Sequence, residues 1–159
     1  MRAATIAGSA DAVEEGSEES LYARVGALLG LQVAVYSEVD LIDRLEKGLA
    51  VASVQTLRAR VSLTDEETFR LIAPRRTLSR REASGQMLSR EEADKAVRIA
   101  RISARAQQVF SGTPEYAIDW LREPKSALGG RTPMQALATE SGALAVEELL
   151  VGIEHGMFN

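Results

Sequence analysis

No cysteine occurs in the 159 residues, so disulfides and thiolate chemistry are excluded, and a reducing cytoplasmic setting is the simplest expectation. A single histidine, His155, argues against a histidine-based metal site. No apolar run approaches the ~18 residues that a membrane-spanning helix needs, so no membrane partner is expected. The opening MRAATIAGSADAVEEGSEES turns acidic before a hydrophobic segment develops, so it does not read as a secretory signal. Neither a GxxxxGK[ST] nor a GxGxxG phosphate loop is present. Glu154 and His155 are the nearest thing to an acid–base pair, but neighbours on a helix point about 100° apart and do not converge on a substrate. The composition therefore predicts a protein that is not an enzyme, with no cofactor. Only seven aromatics occur, none of them between Arg70 and Arg90, which leaves little for RNA bases to stack on.

What is present is charge in an uneven order. Residues 1–57 carry 4 basic and 9 acidic groups, residues 58–105 carry 12 and 7, and residues 106–159 carry 3 and 7. A middle of +5 thus lies between flanks of −5 and −4, within a chain of net charge −4. Length allows one or two small domains with a working core. Residues 1–19 hold almost no large apolar side chain and read as a flexible acidic arm. From Ser20 onward the apolar spacing is helical. Leu21, Val25, Leu28 and Leu29 form one face; Leu41, Ile42, Leu45 and Leu49 form the next, ending near Gly48; Val51, Val54, Leu57 and Val61 form a third.

Thr64 followed by Glu67, and Ser89 followed by Glu92, are capping boxes opening two further helices. The second predicts the longest helix, about Arg90 to Phe110, buried through Ile99, Ile102, Ala106, Val109 and Phe110 and about 30 Å long. No alternating strand pattern appears, and the fold class is all-α. The expected organisation is the arm, a helical helix-turn-helix-like domain over 20–88, and a smaller helical domain over 89–159.

Helices over 64–72 and 75–84, joined at Ala73-Pro74, have helix-turn-helix proportions. Arg75, Arg76, Arg80 and Arg81 cluster on the second, with Thr77 and Ser79 between them. Arg75 and Arg76 suit backbone phosphates; Thr77 and Arg80, a turn further, suit base edges in a major groove. The competing reading is a solvated arginine face, or one paired with Glu66, Glu67 or the arm. A recognition helix this short needs a dimer for useful specificity.

In the last third almost every residue has a positional role. Thr113-Pro114 and Thr132-Pro133 each place a capping hydroxyl before proline at the first helical position, and Gln135 completes a box with Thr132. Ala117, Trp120 and Leu121 share one helical face, and Val146, Leu149, Leu150 and Ile153 another. Gly129-Gly130 reads as a turn with positive φ between Pro124 and Pro133, and Gly156 as the residue that stops the last helix, with His155 capping its end. Met157 and Phe158 follow that stop, where neither folds back easily onto its own core, so burial in a partner is expected.

This order of features resembles the toxin-binding domain of the Xre/MbcA/ParS antitoxins, partners of RES-domain toxins. The resemblance rests on Ala117, Trp120-Leu121, Pro124, Ala127-Leu128-Gly129-Gly130, Thr132-Pro133, Thr139-Glu140, Gly142, Val146-Glu147, Leu150, Ile153-Glu154 and Gly156. The family also carries an R-T-L-x-R-R element, seen here as Arg76 to Arg81. RES toxins act on NAD, consuming it or transferring its ADP-ribose. The resemblance implies that this chain is the antitoxin of a toxin–antitoxin pair, binds its RES toxin, blocks the NAD cleft, binds its own operator and forms a homodimer. The candidate toxin-binding residues are Trp120, Gly129, Gly130, Arg131, Thr132, Pro133, Glu154, Gly156, Met157, Phe158 and Asn159. The alternative is a free-standing helix-turn-helix regulator whose C-terminal domain only dimerises.

Overall fold

Ser89 opens the helix around which the protein is built. Its hydroxyl accepts from the Glu92 amide (3.1 Å) while the Glu92 carboxylate accepts from the Ser89 amide (2.8 Å), and the helix then runs from Arg90 to Val109. In this computed structural model, which describes residues 15–110 and 113–157, that helix is the sixth of nine α-helices among the described residues. The others are α1 Glu15–Leu28, α2 Glu38–Glu46, α3 Val51–Val61, α4 Asp65–Leu71, α5 Arg75–Ala83, α7 Pro114–Arg122, α8 Pro133–Ala136 and α9 Glu140–Glu154, with α6 as Arg90–Val109. A single 3-10 turn, Ser126–Leu128, lies between α7 and α8, and the described residues contain no strand. The all-α expectation holds.

Helix α6 is buried on several sides because its sequence is small on several sides. Ala93, Ala96, Ala100, Ala104 and Ala106 are buried together with Val97, Ile99 and Ile102. Alanine lets neighbouring backbones approach closely, so α1 and α3 pack on one part of α6 while α7 and α9 pack on another. Its 20 residues span about 30 Å, the expected length.

The three predicted capping boxes are all formed, at Thr64, Ser89 and Thr132. A fourth, Ser37 with Asp40 at the start of α2, was missed because aspartate stands where glutamate or glutamine is usual. The structure also corrects some expectations. Helix α1 begins at Glu15, inside the stretch expected as a flexible arm over 1–19; an acid-rich start suits a helix N-terminus, where the macrodipole favours negative charge. The rest of the expected arm lies outside the described residues. Thr113 precedes α7 without its side chain capping it, and Pro114 alone marks the start. Ile42 is exposed, since α2 turns only Leu41 fully inward. Val109 and Phe110 close the α6 stripe only half-buried.

Two backbone features set the later geometry. Ser62, the C-cap of α3, is left-handed at φ 55°, the sole described non-glycine residue with positive φ. At the chain end, the Met157 amide donates to the Gly152 carbonyl (2.8 Å) and the Gly156 amide to Ile153 (3.0 Å), a Schellman motif that needs the left-handed Gly156 (φ 68°).

Candidate functional site

Helices α4 and α5 with the turn 72–74 keep helix-turn-helix proportions, but the two helices are built differently. Thr64 caps α4, whose first turn carries Asp65, Glu66 and Glu67, all favourable at a positive helix end. Helix α5 has Pro74 as its N-cap, no side-chain cap and two arginines in the first turn, which is the unfavourable sign.

Leu78 is the buried residue of α5. Arg76 and Arg80, two residues to either side of it, project roughly opposite, and both are exposed without an ion pair among the described residues. Ser79 is exposed beside them and Thr77 is half-buried. Arg75 is exposed but lies with its guanidinium 5.9 Å from the centre of the Phe69 ring, at the edge of a groove of about 310 Å³ lined also by Arg58, Asp65, Ser79 and Glu82. Arg81 does not share the outward face. Its Nε lies 2.8 Å from Glu92 and its Nη2 donates to the same carboxylate at 3.2 Å, both side chains largely buried. Burial pushes the Glu92 carboxyl up, yet the Ser89 amide and Arg81 outweigh it, and the group sits below its ordinary value. Arg81 therefore fastens α5 to the start of α6, which removes it from the outward set.

The segment after α7 is closed on itself. The Lys125 carbonyl accepts from Leu128 and Gly130 (both 3.0 Å), and the Lys125 amide donates to the Arg131 carbonyl (3.0 Å). Gly129 and Gly130 take φ 64° and 79°, as the paired glycines predict. Arg131, Gly129 and Gly130 are exposed, while Pro133 is buried at the start of α8 behind the Thr132–Gln135 box. Trp120 is half-buried: its ring lies 5.6 Å from Phe110, and the Lys125 ammonium stands 4.9 Å from its centre. Tyr116 packs at a tilt against the same Phe110, ring centres 5.6 Å apart, and remains exposed.

Glu154 pairs with Arg105 at 2.5 Å. The Phe110–Trp120–Lys125 contacts and the end of α9 are thus both drawn to the C-terminal part of α6, Arg105 and Phe110 being about 7.5 Å apart along the helix. His155 and Gly156 are exposed, and Met157 is 69% exposed. Phe158 and Asn159 lie outside the described residues.

Sequence reasoning missed the outer face of α9. Leu144, Glu147, Glu148 and Val151 follow helical spacing along one stripe. Leu144 is 54% exposed and Val151 36%, and the two glutamates have no ion-pair partner among the described residues. Spacing showed the inward set Val146 and Leu150; the amphipathic character of the opposite side needed the packing to define which side was outward. Among the described residues no cluster of three metal-ligating side chains occurs, and no helix is long and apolar enough to cross a membrane.

Two family models fit this chain. One, the antitoxin Xre-like helix-turn-helix domain, matches residues 40–101; the other, the antitoxin Xre/MbcA/ParS C-terminal toxin-binding domain, matches residues 105–156. An "Antitoxin Xre" of Pseudomonas putida is 35% identical over 147 residues, covering 92% of this chain and 91% of that protein. The chain belongs to the Xre antitoxin family. A second "Antitoxin Xre", from Yersinia enterocolitica, is 32% identical over 75% of this antitoxin and 81% of its own length. A "Prs ADP-ribosylating antitoxin" of a Sphingobium strain is 28% identical over 77% and 82%. The two matched domains meet inside α6, so in this antitoxin one continuous helix serves both.

Proposed function

We propose that this antitoxin binds a RES-domain toxin through its C-terminal domain, blocks the toxin's NAD-binding active site and catalyses nothing itself. The observation that carries this reading is the toxin-binding match over residues 105–156, falling on a self-closed loop and an exposed chain end. A loop locked by its own hydrogen bonds and bounded by Pro124 and Pro133 loses little entropy when a partner clamps it. The blocking surface is Gly129 to Thr132 together with Gly156 to Asn159, with Trp120 and Glu154 flanking it; Pro133, buried at the start of α8, supports the loop from behind. A pocket that holds a pyrophosphate is cationic, and residues 106–159 carry 3 basic against 7 acidic groups, so the approach is favourable. The name of the Sphingobium relative refers to ADP-ribosylation, which is consistent with NAD chemistry in the partner.

The second activity is operator binding by a homodimer in the cytoplasm, with Arg75, Arg76, Ser79 and Arg80 as phosphate and groove contacts and Thr77 at their margin. The matched helix-turn-helix domain supports it, as do the exposed Arg76 and Arg80, which have no ion pair among the described residues. The free-standing regulator is less favoured, because a toxin-binding domain has no purpose without a toxin.

Co-expression with a RES protein encoded beside this chain tests the first reading. Removal of residues 156–159 abolishes protection and pull-down while helical content stays intact. Full protection by the truncated chain removes the tail from the interface, and absence of any binding by the intact chain defeats the reading.

A further inference from the structure

The two matched domains are joined by more than α6. Arg122, the last residue of α7 in the toxin-binding domain, reaches across 55 positions of sequence to Glu67 in α4, the first helix of the helix-turn-helix. Both terminal nitrogens donate to the carboxylate, Nη2 to Oε2 at 3.0 Å, and Nη2 also donates to the Ser62 carbonyl. Glu67 already accepts from the Thr64 amide (2.9 Å) in the capping box. Burial pushes the Glu67 carboxyl up, but Arg122 and that amide hold it below its ordinary value, so the pair stays charged. One guanidinium therefore grips both ends of the connection between α3 and α4: the left-handed Ser62 on one side and the first turn of α4 on the other. A planar fork of donors suits this two-sided grip, whereas an ammonium concentrates its three donors and its charge at one point. Trp120, two residues earlier on the same helix, flanks the proposed toxin surface.

We propose that Arg122 is a positioning residue for DNA recognition contributed by the toxin-binding domain: it fixes the turn at 62–64, and with it the pose of α4 and α5. The inference rests on the proposed reading of α4 and α5 as the operator-binding surface.

Arg122→Met and Arg122→Lys in the full chain test it. By hydrogen exchange, amides of residues 63–68 open about fivefold or more faster in Arg122→Met, and those of α9 do not change. Affinity for a duplex taken from immediately upstream of the chain's own reading frame falls about five- to tenfold, a typical coupling magnitude, and Arg122→Lys recovers part of it. Arg76→Ala with Arg80→Ala serves as the variant lacking direct contacts. If that double variant loses the duplex while Arg122→Met binds as tightly as the parent, the inference is wrong and the DNA reading stands. If the parent itself ignores the duplex, both fall. Uniformly faster exchange, α9 included, reduces Arg122 to a general stabiliser and likewise overturns the inference.

Discussion

Gly142 illustrates how much a single position can be dictated by a neighbour distant in role. Thr139 caps α9 through the Gly142 amide (3.0 Å), and the tight approach of α8 places the Ala136 carbonyl oxygen 1.9 Å from where a β-carbon at residue 142 would sit. Backbone cannot retreat as a flexible side chain can, so Gly142→Ala is expected to destabilise the fold by about 3 kcal/mol, read as a fall in melting temperature of roughly 10 °C. The sequence displayed a glycine in the first turn of a helix, a poor place for one by propensity, but not the carbonyl that demands it. The depressed carboxyls of Glu67 and Glu92 give a second residue-level expectation. On acidification the unfolded chain takes up protons first, near the ordinary value of 4.5. Their contribution is complete above that pH and is lost as pH falls through the lower folded values. Glu67→Gln and Glu92→Gln should each cost roughly 1.5–3 kcal/mol near neutrality, the worth of a charge-assisted hydrogen bond, and both should flatten the acid limb of a stability–pH curve. An unaltered slope below pH 4.5 would show that these two groups do not carry it.

At the scale of elements, helix starts were the most legible part of this chain, because a capping hydroxyl and its reciprocal acid are local chemistry. Thr64, Ser89 and Thr132 all read correctly for that reason. What could not be read was direction: Arg75 to Arg81 form one cluster in sequence, and only the packing of Leu78 divides them into the outward Arg76 and Arg80 and the inward Arg81. The division predicts opposite outcomes within one helix. Arg76→Glu replaces an unfavourable charge near the start of α5 with a favourable one, so it should stabilise the protein by about 0.5 kcal/mol while weakening DNA binding. Arg81→Ala leaves Glu92 without its partner and should destabilise the protein by roughly 1–3 kcal/mol. Chemical denaturation of the two variants separates them, and the salt dependence of duplex binding should become shallower only for Arg76→Glu. Equal losses of stability would mean that the two arginines play one structural role.

For the molecule as a whole, the order acidic, basic, acidic along the chain is echoed in the helices: among the described residues α5 carries Arg76 and Arg80 without an ion pair, while α9 carries Glu147 and Glu148 without one. Many other charges are consumed internally: Arg98 holds Glu140, Arg105 holds Glu154, and Arg122 holds Glu67. Net charge by thirds was therefore a fair guide to sign and a poor guide to which groups are free. Glu147, half-buried, and Glu148, exposed, lie between Leu144 and Val151 on α9 with no ion-pair partner among the described residues, so they contribute to the long-range field. Glu147→Lys with Glu148→Lys should change the melting temperature little, since Glu148 is exposed, Glu147 is half-buried and neither has an ion-pair partner among the described residues. Toxin association should nevertheless slow by about tenfold at low ionic strength, with the difference shrinking at high salt as screening shortens the field. A dissociation rate that rises instead, independent of salt, would place the two glutamates in direct contact with the toxin, whereas no change in either rate would turn the outer face of α9 away from it.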